Sequence, residues 1–345
     1  MSTTSKVALY QDDTRAWGLI EGDALLTLAK LPTHSVDAIV TDPPYGIDFG
    51  GEAWDGVDIR HTAGSDGERL SASEAFQRWT AVWAAECRRV LKPGGHMVAF
   101  GAPRTFHRLV CGIEDAGLEV RDVLMWLNGH GLPKSRRLPG GRGTALKPAY
   151  EPILLARAPL VGTTPRNLEA WGTGALNIAP SRVTGAQAPG DGYWPANLVL
   201  SHGDGCTERS CQPDCPVALL DRSPAWARPS RQFYCTKASK REREAGCDEL
   251  PVRSIAIYRG QSHHLRRRHN THPTVKPVSL MRWLVALITP PEGVVLDPFT
   301  GSGSTGIAVV LEDRMFLGIE REGEYIDIAC ARLTHWTHEA GKEPV

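Results

Sequence analysis

The sequence predicts an α/β fold, a parallel sheet covered by helices and assembled from both ends of the chain. Three observations carry that expectation. Short apolar runs alternate with helix-period segments as far as residue 127, the alternation breaks down between 128 and 270, and it resumes from Val278 onward. In order, residues 23–30 read as a helix and 36–41 as a buried strand. Residues 72–90 read as a longer helix that places Phe76, Trp79, Val82 and Trp83 at helical spacing, as core residues. Residues 96–100 are a strand, 103–115 a helix and 119–127 a further strand. After the break, 278–288 form an amphipathic helix carrying Leu280, Met281, Trp283, Leu284 and Leu287. It leads through Thr289-Pro290-Pro291 into a strand ending at Asp297. A helix over 304–311, a strand over 314–319 and a closing helix over 322–335 complete the pattern.

The middle is rich in Gly and Pro and has no long periodic segment, so it reads as loops and short elements around strand-like runs at 152–156 and 197–200. The chain therefore divides into 1–127 and 271–345, two halves of one core, with 128–270 inserted between them. A length of 345 residues fits one core with such an insert. There is no stretch of 18 apolar residues, and the first eleven residues lack the apolar centre of a signal peptide. The expectation is a soluble, cytoplasmic protein without a membrane partner. Its eight cysteines are then reduced thiols or metal ligands.

Two motifs carry chemistry. The apolar run Val36 to Val40 ends in Asp42, Pro43, Pro44 and Tyr45. A carboxylate, a rigid turn whose carbonyls are free to accept, and an aromatic face then occupy one place, a set suited to a flat exocyclic amine. The second motif runs from Val294 to Gly306, where an apolar strand enters the turn Asp297-Pro298-Phe299-Thr300-Gly301-Ser302-Gly303 and then a helix. Backbone N–H groups at such a turn point into a crevice that a ligand approaches closely. The next strand finishes in Glu320, an acid able to hold the two hydroxyls of a ribose. The spacing suits a nucleoside cofactor.

With these residues in view, the chain resembles the amino-methyltransferases of DNA, which methylate adenine N6 or cytosine N4 using S-adenosylmethionine. Asp-Pro-Pro-Tyr first and the glycine-rich turn last is similar to the permuted arrangement of the beta class. Further matches are Ile20-Glu21-Gly22-Asp23-Ala24, Leu91-Lys92-Pro93-Gly94-Gly95 and His272-Pro273-Thr274-Val275-Lys276-Pro277. The middle resembles a narrower group, the orphan methylases of phages and prophages. The residues concerned include Gly131-Leu132-Pro133-Lys134-Ser135, Glu151-Pro152-Ile153, Gly172-Thr173-Gly174-Ala175-Leu176-Asn177 and Trp194-Pro195-Ala196-Asn197.

The resemblance implies a Rossmann-like methyltransferase sheet, permuted, with an inserted target-recognition region. It implies that Asp42 and the Pro43 carbonyl grip the target amine and that Tyr45 stacks on a flipped-out base. It places S-adenosylmethionine against Asp297, Phe299, Gly301 and Gly303 on its methionine side, Glu320 at its ribose and Asp23 at its adenine edge. Thr274 and Lys276 would hold its carboxylate. In this family Asp at the position of Asp42 accompanies adenine more often than cytosine, where Ser is frequent, so N6 of adenine is expected, with N4 of cytosine the alternative. An RNA or protein N-methyltransferase is a second alternative, although such enzymes usually carry Asn in place of this Asp and need no large basic insert.

Double-stranded DNA is the expected partner. The formal net charge is zero, yet residues 1–74 hold 5 Lys/Arg against 13 Asp/Glu while 221–270 hold 12 against 5 and 121–150 hold 6 against 1. A duplex feels the local field, so a neutral chain with basic faces can neutralise phosphates. Candidate contacts are Lys134, Arg136, Arg137, Lys147, Arg266, Arg267 and Arg268. In the same insert His202, Cys206, Cys211 and Cys215 offer four soft ligands within fourteen residues, the makings of a tetrahedral zinc site. Such a zinc would be structural, because a Cys3His set leaves no open position for water.

Overall fold

The computed structural model describes residues 7–8, 11–12, 15–63, 70–127, 137–146, 148–183, 190, 192–200, 206, 212, 215, 218, 233–234, 237–259 and 262–340. One mixed sheet runs through them. From one edge its order is Val7–Ala8, Arg15–Glu21, Met315–Glu320, Val294–Asp297, Val36–Thr41, Leu91–Phe100, Tyr150–Arg157, Glu119–Leu127, Leu198–Leu200 and Phe233–Tyr234. The five strands from Arg15–Glu21 to Leu91–Phe100 are mutually parallel. Tyr150–Arg157 departs from the expected all-parallel order, since it runs antiparallel to both of its neighbours.

Alternation along the strands feeds two cores. Ala38, Val40, Val98 and Phe100 face the helices Val278–Ile288, Ser304–Leu311 and Gly323–Ala340, while Ile39, Met97 and Ala99 face Ala72–Val90 and Phe106–Asp115. Helices thus cover both faces, the layering of a Rossmann-like sheet. Helix Ala72–Val90 starts at a capping box on Ser71 and Glu74 and buries Phe76, Trp79 and Trp83. Val82 is the exception to the expected core set. It stays 46% exposed, because it sits about 100° around the helix from Trp83 and off the covered stripe.

Several elements escaped the sequence reading. Arg15–Glu21 is a central-sheet strand that packs Trp17 and Leu19 into the core. Leu91–Phe100 begins five residues earlier than expected, because a register shift between Val36 and Ala38 absorbs Pro93 and Gly94. Tyr150–Arg157 belongs to the core sheet although it lies within the supposed insert, and Ile153, Leu154 and Ala156 are fully buried there. Arg253–Arg259 and Ser262–Arg268 pair as a seven-residue antiparallel hairpin outside the main sheet, where loops were expected.

The middle of the chain also fastens the two halves of the core. Asn167, fully buried, donates to the carbonyls of Pro93 and Thr173 at 2.8 Å each and accepts from the Val161 N–H at 2.8 Å. The Thr173 hydroxyl reaches the same Pro93 carbonyl at 2.6 Å. Asn177 then caps the far half, donating to the carbonyls of Ala286 and Thr289 at 3.1 and 2.6 Å at the end of helix Val278–Ile288. A hydrogen bond left half-made in a buried site costs the full desolvation of the orphaned group. Asn167→Ala should therefore lower folding stability by roughly 2–4 kcal/mol, read as a reduced midpoint in denaturant titration with an unchanged slope.

Candidate active site

The parallel strands all end on one edge of the sheet, and the functional residues follow from that. Asp42 comes directly after Val36–Thr41, Asp297 closes Val294–Asp297, Glu320 closes Met315–Glu320 and Asp23 follows Arg15–Glu21. Tyr150–Arg157 is antiparallel, so its start, with Glu151, lies at the same edge. These termini open into a single cavity of about 1090 Å3, lined among others by Asp23, Asp42, Tyr45, Asp297, Gly301 and Glu320. The two motifs meet there through a buried bond in which the Thr41 hydroxyl donates to Asp297 Oδ1 at 2.7 Å.

The glycine turn is shaped for close approach. Gly301 (φ +53°) and Gly303 (φ +78°) are left-handed, and a Cβ on Gly301 would lie 2.6 Å from His272 Nε2. Glu320 Oε2 accepts the Gly301 N–H at 2.8 Å and Oε1 accepts the Glu322 N–H at 2.9 Å, which fixes the carboxylate beside the turn. Burial pushes Asp297 up to about 6, opposed by bonds from Thr305, Thr41 and the Phe299 N–H. Burial also drives His272 down to about 3, assisted by the Lys276 charge, so its ring is neutral where it packs edge-on against Tyr325 at 4.6 Å. Phe299 leans the other way, onto Trp79 and Trp83 at 5.6 and 5.4 Å.

Around Asp42 the side chains form a closed group. The Tyr45 hydroxyl donates to Asp42 Oδ1 at 2.7 Å, and the Lys276 ammonium donates to Asp42 Oδ2 at 2.5 Å. Lys276 also stands 3.6 Å from Glu151 Oε2 and over the Phe100 ring at 4.9 Å. Burial raises the Asp42 carboxyl against the opposing pull of Lys276 and Tyr45. For Lys276 burial acts downward, but Asp42 and Glu151 outweigh it and hold the ammonium protonated. The turn after Tyr45 is held from beneath by Asp55, fully buried, which accepts the N–H groups of Gly46, Ile47 and Phe49 at 2.7, 3.1 and 2.8 Å.

A family model described as DNA methylase, N6_N4_Mtase, matches residues 36–331, a span that contains both motifs. The chain belongs to this family. It is 26% identical to the type II methyltransferase M.HindIII of Haemophilus influenzae, over 91% of this chain and 94% of that one. It is 23% identical to the type II methyltransferase M2.LlaDCHI of Lactococcus lactis subsp. cremoris, over 91% and 88%. Among solved structures, the PvuII DNA methyltransferase, titled cytosine-N4-specific, superposes with a TM-score of 0.54 at 15% identity, covering 95% of this chain and 93% of that one. That likeness shows a shared fold.

In this methylase the two motif loops, Glu320, Asp23 and Thr274 line one cavity. Asp23 additionally caps helix Ala24–Leu28 by accepting the Leu26 N–H at 3.1 Å. Lys276, expected at a cofactor carboxylate, lines the same cavity and pairs there with the carboxylate of Asp42. Glu151, Asp55 and His272 were missed as site residues. Glu151 and His272 stood inside matched motifs, and nothing in sequence marks Asp55. Of the expected DNA contacts, Arg266 and Arg267 are exposed and Arg268 half-buried on the Ser262–Arg268 strand, and Arg137 lies on the short strand Arg137–Leu138. Lys134, Arg136 and Lys147 lie outside the described residues. Of the zinc set, His202 and Cys211 also lie outside them, while Cys206 and Cys215 share a small apolar cluster with Leu200. No group of three or more His, Cys, Asp or Glu among the described residues could hold a metal, and among them no helix is long and apolar enough to cross a membrane.

Removing Asp55 orphans three part-buried N–H groups at once. Asp55→Ala should cost roughly 1–3 kcal/mol and speed hydrogen exchange at Gly46, Ile47 and Phe49 well before exchange rises elsewhere.

Proposed function

We propose that the chain transfers a methyl group from S-adenosylmethionine to N6 of adenine in double-stranded DNA. The observation that carries this reading is the shared cavity of Asp42-Pro43-Pro44-Tyr45 and the Gly301 turn, joined by the Thr41–Asp297 bond. The residues fit the cofactor. The left-handed turn at Gly301 stands on the cavity wall, Glu320 is a fixed carboxylate of the kind that accepts from ribose hydroxyls, and Asp23 and Thr274 offer further polar groups along the same wall. Asp297 and Phe299 would border its methionine portion. When bound, the cofactor supplies an electrophilic methyl group on a sulfonium.

The rest is work for the chain's own side chains. The exocyclic amine of adenine is a poor nucleophile because its lone pair is delocalised into the ring. Asp42 and the Pro43 carbonyl, accepting its two hydrogens, favour a pyramidal nitrogen and stabilise the positive charge that develops on it. The target is out of reach inside a duplex, so the base must leave the stack at a cost of a few kcal/mol. The Tyr45 ring offsets part of this, since base–aromatic stacking contributes on the order of 1–3 kcal/mol. Asp rather than Ser at position 42 favours adenine over cytosine N4. The exposed Arg266 and Arg267 on a two-stranded ribbon support the DNA reading, because the major groove of B-DNA admits such a ribbon.

Asp42→Ala should reduce methylation by about a hundredfold or more while cofactor affinity survives. Tyr45→Ala should lose roughly tenfold to a hundredfold. Nucleoside mass analysis of DNA from an expressing host should show N6-methyladenine, and N4-methylcytosine in its place would reassign the base. Replacing Arg266 and Arg267 by Gln should weaken binding about equally across sequences and flatten the salt dependence by about 0.9 for each phosphate no longer neutralised. An unchanged salt slope would remove these two from the interface.

A further inference from the structure

Asp42 is assigned to the amine, yet both of its oxygens are already engaged, Oδ1 by the Tyr45 hydroxyl and Oδ2 by Lys276. An ammonium seated on the acceptor competes with the amine that the acceptor must grip. A second carboxylate stands beside it. Glu151 Oε2 is 3.6 Å from Lys276 Nζ and 3.5 Å from the Tyr45 hydroxyl, at the start of a strand whose interior is fully buried. Glu151 belongs to a stretch singled out in the sequence, and the proposed chemistry gives it no task.

We propose that Glu151 is a positioning residue for methyl transfer: it is the alternative seat of Lys276, drawing the ammonium off Asp42 Oδ2 when the target amine arrives. This rests on the N6-adenine reading of the same site and extends it. The group holds two carboxylates and one ammonium, a net charge of minus one. That sign suits a reaction in which the amine nitrogen turns cationic. With Lys276 shared between the two acids, Asp42 stays ionised and gains a free acceptor site. Among the described residues, Asp42 and Glu151 are the carboxylates that Lys276 pairs with. The ring faces of Phe100 and Tyr45 lie 4.9 and 5.6 Å from its ammonium, so a short swing between the acids keeps it over aromatic carbon.

The other charged or titratable groups facing this cluster are Asp297, which feels Asp42, and His272, which feels Lys276; elsewhere on the cavity wall stand Arg104, Lys237, Arg243 and Arg321 with the acids Asp23, Asp55, Asp58, Glu320 and Glu322. His272 is held neutral, and the four other cations and the remaining acids are untouched by the variants below. The signs therefore follow from the cluster. Lys276 lowers the Asp42 carboxyl and Glu151 raises it. Losing Lys276 moves the acid limb of the rate profile to higher pH, and losing the Glu151 charge moves it to lower pH.

The test compares wild type, Glu151→Gln, Glu151→Asp and Lys276→Met, each checked for an unchanged melting temperature. Three quantities are read: the plateau kcat on target DNA, its acid limb, and the Asp42 carboxyl titration by difference infrared spectroscopy, assigned with Asp42→Asn. Glu151→Gln should lower the plateau tenfold or more, with unchanged cofactor affinity and an acid limb at lower pH, and Glu151→Asp should restore part of the loss. Lys276→Met should shift the acid limb and the Asp42 titration to higher pH together. Because the infrared titration needs no turnover, it reads the pairing even in a slow variant. A wild-type plateau in Glu151→Gln overturns the proposal. So does an equal loss in Glu151→Gln and Glu151→Asp with neither acid limb displaced, which would mean a packing role. If wild type itself transfers no methyl group, the N6-adenine reading is what fails.

Discussion

The site depends on two adjacent parallel strands, Val36–Thr41 and Val294–Asp297, ending at the same height although they lie some 250 residues apart in the chain. Their pairing is pinned at both ends by residues of the first strand. At the lower end Asp37 accepts the Val294 N–H at 2.8 Å and pairs with Lys92 at 2.5 Å. At the upper end Thr41 donates to Asp297. A slip of one residue would turn every side chain of a strand to the other face, burying Asp42 and Asp297 away from the cavity. Both helical layers would lose their packing in the same step, so the fold and the site are fixed by one register.

Much of this was legible in the sequence because it is periodic or terminal. Apolar runs that end in an acid announced the strand edges, and the glycine turn announced a ligand-sized crevice. Helix Ala72–Val90 was visible through its aromatic stripe. What escaped depends on partners far away in the chain. The run at 152–156 reads as a strand from its apolar residues, but neither its direction nor its two neighbours can be read from it, and Glu151 becomes a site residue only through that placement. Asn167 and Asn177 look like ordinary loop residues until the carbonyls they satisfy are known. The Arg253–Arg268 hairpin carries Arg and His where a buried strand would alternate apolar residues, so its sequence resembles solvated coil. The pairing of Lys276 with Asp42, 234 residues away in the chain, is likewise invisible until both are placed.

Buried charge is the recurring expense of the design, and each instance ties segments together. A guanidinium taken out of water is costly unless most of its donors are met. Arg332, fully buried in the closing helix, donates to the Ser302 carbonyl at 2.5 Å, to the Ser302 and Ser304 hydroxyls at 3.2 Å each and to the Glu242 carbonyl at 3.4 Å. It therefore braces the glycine turn from below and draws in the helix Lys240–Glu244. That helix in turn uses the Glu242 carboxylate to satisfy the Val278 N–H at the start of Val278–Ile288.

These contacts bear on how the basic middle region relates to the cavity. Arg243, on the same short helix, donates to the His272 carbonyl at 2.9 Å, and the His272 ring is the group that a Cβ on Gly301 would strike. Glu244 meanwhile accepts the N–H of His269, next to the end of the Ser262–Arg268 strand. The hairpin that carries Arg266 and Arg267 is thus two short links from the wall of the glycine turn. Bound phosphate on the ribbon would load a segment whose next neighbours are Asn270, His272 and Gly301. A recognition element on a separate domain would need a hinge to report engagement to the reacting atoms. Here the middle of the chain supplies a core strand, both asparagine clamps and part of the cavity wall, so the basic hairpin and the Asp42 loop belong to one packed body.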